Sequence, residues 1–310
     1  MKNPAAYLFF RRWLRKEGVA VVHAHRSLAL LFGYFSLPGR SGPALVVNRG
    51  TTYPLPNRIV RYVYRSQRLG RVIAVAEAVR EALVSEEGID PDRISVVYGS
   101  FDEDRFHPGV SGASVRAELG LPERAPLVVN VAPVDRRKGL HILIRAAAEV
   151  VREMPEATFL IAGESYDPRY LRDLETELDR LGLRDQVIFT GHRNDIPEIL
   201  AAADLSVTPS TEGEGMTGAV REALAMARPV VCTGVCGNTE LVRDGETGWV
   251  VEPGDPMALA DAMVEALKNP DEAGRRAKLG RRRTRLLCGS ETRVARVEEI
   301  YRELMQKSPR

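Results

Sequence analysis

Two carboxylates stand eight positions apart, Glu214 and Glu222, around a glycine-rich turn in the stretch 209–231, PSTEGEGMTGAVREALAMARPVV. An ionised carboxylate only accepts hydrogen bonds, and a ribose or sugar diol offers it two hydroxyl donors. Glu222 lies among Ala219, Ala223, Leu224 and Met226, so it sits within a buried helix face and needs partners. A salt bridge with Arg221 or Arg228 answers that need as readily as a diol does. Glu214 and Gly215 fall where the apolar run DLSVTPS gives way to a helix beginning near Thr217. Unpaired N–H groups and the positive end of the helix dipole make that point an anion site, while Glu214 also fits as an acid that stabilises the dipole. A second stretch, VAPVDRRKGLHILIRAA, carries Arg136, Arg137 and Lys138 just before Gly139 opens a helix. Lysine is a mobile point charge suited to a phosphate, although a solvated basic loop has the same appearance.

These residues are positioned by short β-branched runs that alternate with longer helical patterns, the mark of parallel α/β architecture. The strand candidates are VAVVHAH, ALVVN, RVIAVA and ISVVYGS, then PLVVNVA, ATFLIAG, QVIFTG, DLSVTPS, RPVVCTG and TGWVVEP. Their near-continuous apolar character fits burial on both faces between layers of helices. The rhythm breaks in FDEDRFHPGVSGASVRAELGLPERAP, which places a domain junction near residues 107–124. We therefore expect two doubly wound Rossmann-like domains facing a cleft, spanning 1–110 and 111–285. The segment 286–310 is a terminal helix whose Val294, Val297, Ile300, Tyr301 and Leu304 form one face. That face is expected to pack back on the N-terminal domain. Open parallel sheets bind ligands beyond the carboxyl ends of their strands, where both chemistry-bearing stretches lie.

The bulk properties are those of a globular protein of 310 residues, with Lys+Arg 44 against Asp+Glu 42. That balance gives no argument for nucleic acid. Cys232, Cys236 and Cys288 cannot all pair within the chain, and Cys-x3-Cys lacks the further ligands of a zinc site. We read them as buried thiols in a reducing cytoplasm. No apolar run is long enough to span a membrane. The basic runs RRWLRK and RRAKLGRRRTRLL lack a strong apolar counter-face and read as solvated helix faces, with peripheral contact to an anionic membrane as the alternative.

The segments VVHAH, RVIAVAEAVREAL, VVYGSFDEDRF, DRRKGLHILIRAA, FLIAGES, VIFTGHRND, EGMTGAVREALAMARPVV, GNTELV and GETGWVVEPGDPMALADAM occur in one order from about residue 19 to 268. Together they resemble the retaining nucleotide-sugar glycosyltransferases of the glycosyltransferase-4 group, which have the GT-B fold. The resemblance implies that Glu214 contacts the transferred sugar and that Glu222 holds the ribose hydroxyls. It implies that Lys138 neutralises the diphosphate, helped by Arg137 and by the backbone amides of Gly215, Met216 and Thr217. His192 and Arg193 would lie against the base, largely through backbone groups, and Asp195 reads as the N-cap of the next helix. The resemblance makes the donor a nucleotide-diphosphate sugar, with no obligatory cofactor or divalent metal. The acceptor is a saccharide or a lipid-linked saccharide, in a cytoplasmic setting peripheral to the membrane and tied to cell-envelope polysaccharide synthesis.

The sequence departs from the group's pattern in three places. Pro133 stands where relatives carry an arginine that pairs with the lysine. Arg49 stands where many carry a histidine, and an arginine binds phosphate or carboxylate but accepts no proton. Relatives also place a strand, a glycine-rich loop and further strand-helix units before VVHAH, so we expect an incomplete N-terminal domain whose edge is covered by the N-terminal helix, by the C-terminal helix or by a second chain in a homo-oligomer. These departures define the alternative, a nucleotide-binding relative with weak or no transfer. His23 and His25 read as strand-end structural residues.

Overall fold

Ten of the short apolar runs form strands in the computed structural model, which describes residues 3–37, 42–122, 125–212, 215–235 and 237–307. The chain divides into two compact units, one ending at Gly99 and regaining the C-terminal helix from Glu291 on, the other running from Ser100 to Ser290.

The first unit holds a parallel sheet of β1 (Val21–Ala24), β2 (Ala44–Arg49), β3 (Leu69–Ala74) and β4 (Ile94–Val96), side by side in that order. The helix Ser290–Lys307 belongs with this unit through Ile300 and Leu304, which are buried against Val46, Ile73 and Val97. Arg293 fixes its angle by donating to the carbonyl oxygens of Val97 at 3.2 Å and Tyr98 at 2.7 Å. Burying two such aliphatic side chains stabilises the contact by roughly 3–6 kcal/mol.

The second unit holds β5 (Leu127–Val131), β6 (Thr158–Ala162), β7 (Val187–Gly191), β8 (Leu205–Thr208), β9 (Val230–Thr233) and β10 (Trp249–Val251). The order is β10-β9-β8-β5-β6-β7, all parallel. The chain leaves β5 in one direction through β6 and β7, then returns to lay β8 on the other side of β5. That reversal is a topological switch point, where the loops after β5 and β8 diverge and leave a crevice. All five residues of β6 are buried, as a central strand covered on both faces requires. The helix Leu140–Glu153 covers one face with Leu140, Leu143, Ile144, Ala147 and Val150, a helical spacing of apolar side chains.

The sequence placed the junction at residue 110, yet residues 100–110 lie in the second unit. Phe101 and Phe106 are buried, and the Phe101 carbonyl accepts from Ser290 Oγ at 2.9 Å. Arg105 donates to the Asn194 carbonyl at 3.4 Å. The polar composition of the segment concealed these two aromatic anchors. Residues 275–287 also differ from a solvated basic face. Arg281 donates to the Ala225 carbonyl, Arg283 to that of Glu240, and Arg276 lies 4.1 Å from the Trp249 ring centroid. Among the described residues no helix is long and apolar enough to cross a membrane. Cys232 and Cys288 are buried, and burial pushes the Cys232 thiol up to about 12. Cys236 lies outside the described residues.

Candidate donor site at the carboxyl edge of the second sheet

The loop after β5 and the loop after β8 touch because Gly139 has no side chain. Its φ is +69°, and a Cβ there would lie 1.9 Å from the carbonyl oxygen of Pro209. Beside this contact Thr211 donates its N–H to the Arg137 carbonyl at 2.8 Å. The basic stretch and the glycine-rich stretch, seventy residues apart in sequence, thus share one edge of the switch point.

Lys138 closes the short turn Arg136–Lys138 and is half-buried, its N–H donating to the Asp135 carbonyl at 2.9 Å. The two arginines beside it are engaged. Arg137 makes charge-assisted bonds to both Asp135 oxygens at 2.8 and 2.7 Å, which holds the Asp135 carboxyl down at about 2. Arg136 pairs with Asp173 at 2.7 Å and lies over the Tyr170 ring. In the free protein the Arg137 side chain thus serves the geometry of the turn. Asp135 explains this, since it also accepts the Arg137 N–H at 2.9 Å as the cap of the turn. The D-R-R order was the signal for it.

On the other loop, Glu214 lies outside the described residues. Gly215 accepts from the Gly237 N–H at 2.9 Å. Among the described residues the Gly215 and Met216 amides have no hydrogen-bond partner. The Thr217 amide donates at 3.3 Å to Oδ1 of the fully buried Asn238 in the free protein. Thr217 is the N-cap of the helix Gly218–Ala225 without capping it, and its buried Oγ1 has no described partner. Among the described residues the first-turn donors of this helix have no side-chain cap, the condition in which a helix N-terminus attracts an anion.

Glu222 lies on the second turn of that helix, and its Oε1 is 3.7 Å from the point where a Cβ on Gly218 would stand. It is half-buried, and no described residue gives it a hydrogen bond or ion pair. The expected salt-bridge partners do other things. Arg228 donates to the Ala203 carbonyl, and Arg221 influences Glu222 through its field without pairing. Burial pushes the Glu222 carboxyl above the usual range, partly offset by the charges of Arg221 and Arg105.

The loop after β7 lies two strands from β5. His192 Nε2 is 3.2 Å from Asn194 Oδ1. The Arg193 guanidinium is held by Glu118 at 2.7 and 2.9 Å and by Asp195 at 2.8 and 2.6 Å. Its side chain is thus a clamp between the helix Ala113–Glu118 and this loop, which leaves only backbone groups for a ligand. Asp195 occupies the N-cap position of the helix Ile196–Ala202 but makes no capping bond, because Arg193 takes its carboxylate. Arg49 lies in the other unit at the end of β2, donating to the Tyr53 carbonyl, with a buried Nε that has no described partner. Among the described residues no cluster of three metal-ligating side chains occurs.

Comparison with known proteins decides the family. Residues 2–105 match the model described as Glycosyltransferase Family 4, and residues 125–269 match Glycosyl transferases group 1. The chain is a glycosyltransferase built from a family 4 domain and a group 1 domain. The galactosyltransferase of Escherichia coli that uses UDP-Gal and alpha-D-GlcNAc-diphosphoundecaprenol is 26% identical over 276 residues, covering 85% of this chain and 70% of that protein. A D-inositol 3-phosphate glycosyltransferase from Mycobacterium sp. (strain KMS) is 35% identical over 212 residues, which are 67% of this chain and 47% of the relative. The fold matches a glycosyltransferase of Rickettsia africae with a TM-score of 0.89 at 23% identity, over 99% of this chain and 83% of the other. Anabaena HepE, crystallised with UDP, matches with a TM-score of 0.85 at 23% identity, over 95% and 81%. Both neighbours share the arrangement of two parallel-sheet domains known as GT-B.

Proposed function

We propose that this glycosyltransferase takes a sugar from a nucleoside-diphosphate sugar bound at the carboxyl edge of the second sheet and transfers it with retention of configuration. The observation that carries the reading is Glu222, a half-buried carboxylate with no partner among the described residues, beside a helix N-terminus with open donors. A desolvated carboxylate of this kind is costly in the free protein and gains two hydrogen bonds when a ribose diol arrives. In this reading the Gly215 and Met216 amides and the helix N-terminus take the diphosphate, with Lys138 as the mobile cation. His192 and the backbone at Arg193 face the base, and Glu214 meets the transferred sugar. Retention follows when the leaving diphosphate stays on the face that the acceptor hydroxyl attacks. The hydroxyl gives up its proton to that leaving group as the glycosidic bond breaks, and the amides and lysine stabilise the charge that develops there.

The acceptor is a saccharide or lipid-linked saccharide of the cell envelope. In support, the E. coli relative is named for a diphosphoundecaprenol acceptor, and the helix Pro4–Lys16 exposes Leu8, Phe9 and Trp13 beside Arg12, Arg15 and Lys16. An exposed mixture of apolar and basic side chains suits the inner surface of an anionic membrane. One observation favours the alternative of a weak or inactive nucleotide-binding relative. Pro133 carries no charge, and both neighbouring arginines are held by Asp135 and Asp173, so neither stands in for the missing cation.

Calorimetric titration with UDP and GDP tests the binding step, and a proton spectrum of the product anomer tests retention. Glu222→Ala should weaken the preferred nucleotide by about 10- to 100-fold, the value of charge-assisted hydrogen bonds. Unchanged affinity in that variant would refute the site. Nucleotide binding without transfer to any saccharide or lipid-linked acceptor would select the alternative.

A further inference from the structure

Four side chains of the first unit form one hydrogen-bonded chain that ends in solvent at the carboxyl edge of its sheet. Tyr301 Oη is 2.5 Å from His23 Nδ1, His23 Nε2 is 3.0 Å from Asn48 Oδ1, and Asn48 Nδ2 is 2.9 Å from His25 Nδ1. The two imidazoles stack at 4.5 Å between centroids, and the phenol ring meets His23 edge-on. Tyr301 comes from the C-terminal helix, His23 and His25 from β1 and the residue after it, and Asn48 from β2.

With the Asn48 amide turned so that Nδ2 meets His25 and Oδ1 meets His23, its chemistry sets the protons along the chain. Asn48 Nδ2 can only donate, so His25 Nδ1 must accept; Asn48 Oδ1 can only accept, so His23 Nε2 must carry a proton. A neutral His23 then accepts at Nδ1 from the Tyr301 hydroxyl. Both outer conditions hold, because burial lowers the His23 pKa, with the charge of Arg293, and that of His25 when protonated, in the same direction against the Asn48 bond. Burial likewise raises the Tyr301 pKa against the charge of Arg293, so the phenol keeps its proton. These are the titratable and charged groups that act on His23.

We propose that Tyr301, His23 and Asn48 are positioning residues that hold neutral His25 in the single tautomer with Nε2–H directed outward, a fixed donor for an oxygen of the bound saccharide. Without the relay a neutral imidazole exchanges between tautomers and presents a lone pair at Nε2 part of the time. The C-terminal helix is thereby linked to the polarity of one hydrogen bond at the sheet edge, a role distinct from its packing through Ile300 and Leu304. Only the identity of the ligand rests on the glycosyl-transfer reading; the tautomer is a property of the free protein.

Long-range proton–nitrogen spectra of the full chain with ring-labelled histidine test this above the ordinary imidazole titration range, with the five histidines assigned through single His→Gln variants. The expected result is His25 protonated at Nε2 alone in the free protein. Tyr301→Phe keeps the ring and removes the donor, and His25 should then show a mixture of tautomers. Asn48→Asp replaces the donor by an acceptor and should move the His25 proton to Nδ1, which serves as a second variant if the first unfolds. Transfer should fall about tenfold in kcat in Tyr301→Phe with nucleotide affinity unchanged, the effect of one misdirected neutral hydrogen bond. A wild-type His25 that is protonated at Nδ1 or averaged between tautomers, or a tautomer unmoved in both variants, would overturn the proposal. A fixed tautomer in a chain that transfers no sugar would uphold the relay and refute the reaction instead.

Discussion

Gly139 is the point at which one added methyl group should separate the two loops of the donor site. Its backbone has φ +69°, and the nearest atoms to an added Cβ would be the Pro209 carbonyl oxygen at 1.9 Å and its carbon at 2.8 Å. Carbon–oxygen contacts settle at about 3.3–3.6 Å, so the Pro209 carbonyl must retreat by roughly 1.5 Å. The left-handed backbone costs an alanine about 1–2 kcal/mol and relief of the overlap about 1–3 kcal/mol, together about 2–5 kcal/mol. For a unit of this size that lowers the melting temperature by roughly 5–15 °C. Gly182→Ala is the control, since Gly182 has φ +68° and an added Cβ would meet nothing within 4 Å. It should show the backbone cost alone, about 1–2 kcal/mol. Scanning calorimetry of both variants isolates the contact, and nucleotide titration of Gly139→Ala reads its consequence. Displacing the loop by an ångström or more should reduce transfer by about a hundredfold. Equal melting temperatures for the two variants, with normal nucleotide affinity in Gly139→Ala, would refute the claim that this contact builds the site.

Glu222→Gln should raise the melting temperature of the free protein at neutral pH while weakening nucleotide binding. A folded pKa raised above the unfolded one gives a contribution that is full below the unfolded value and lost as pH rises through the folded one, so the ionised side chain is a net cost at neutrality. A variant no more stable than the parent there would show that Glu222 has a fixed partner. Glu87→Gln should act oppositely in the first unit, lowering stability by about 1–3 kcal/mol at neutral pH and flattening its decline in acid. Burial pushes the Glu87 carboxyl up, but the hydrogen bonds from Arg61 and the Leu55 amide outweigh it and the pKa is lowered. The stabilisation is therefore present above the unfolded pKa and lost as pH falls through the folded one, and an acid transition identical to the parent's in a urea series would contradict it.

The strands were legible because burial on both faces makes them apolar without interruption, as in β6, and the positions of Lys138 and Gly215 at strand ends followed from the same runs. What local sequence could not state was the order of the strands. That β8 lies beside β5 depends on long-range pairing of Val128 with Leu205, and it is this pairing that creates the switch point. Long-range partners also decided the arginines. The side-chain role of Arg193 was not legible because Glu118, its second carboxylate, lies 75 positions away. Asn238 in GNTELV carried no visible sign that its side chain would occupy the Thr217 amide, a bond made across 21 residues. The Asp135–Arg137 pair, two positions apart, was legible in principle, and its spacing is what a capped turn requires.

The arginines near the site share a property that bears on Glu222. Arg137 is held by Asp135, Arg193 by Glu118 and Asp195, and Arg228 by the Ala203 carbonyl, so none of these guanidinium groups pairs with Glu222. A bidentate guanidinium would satisfy the carboxylate in the free protein, and a neutral diol would then have to displace a charge-assisted pair to bind. Leaving Glu222 influenced by Arg221 and Arg105 but bonded to neither keeps its lone pairs open to hydroxyl donors. Among the described residues the helix at Thr217 likewise has no side-chain cap, and the Gly215 and Met216 amides have no hydrogen-bond partner. One short segment therefore offers acceptors at Glu222 and donors at its own N-terminus about one helical turn apart, which matches the alternation of hydroxyl and phosphate along a nucleoside diphosphate and supports that class of donor over a simple sugar or a free phosphate.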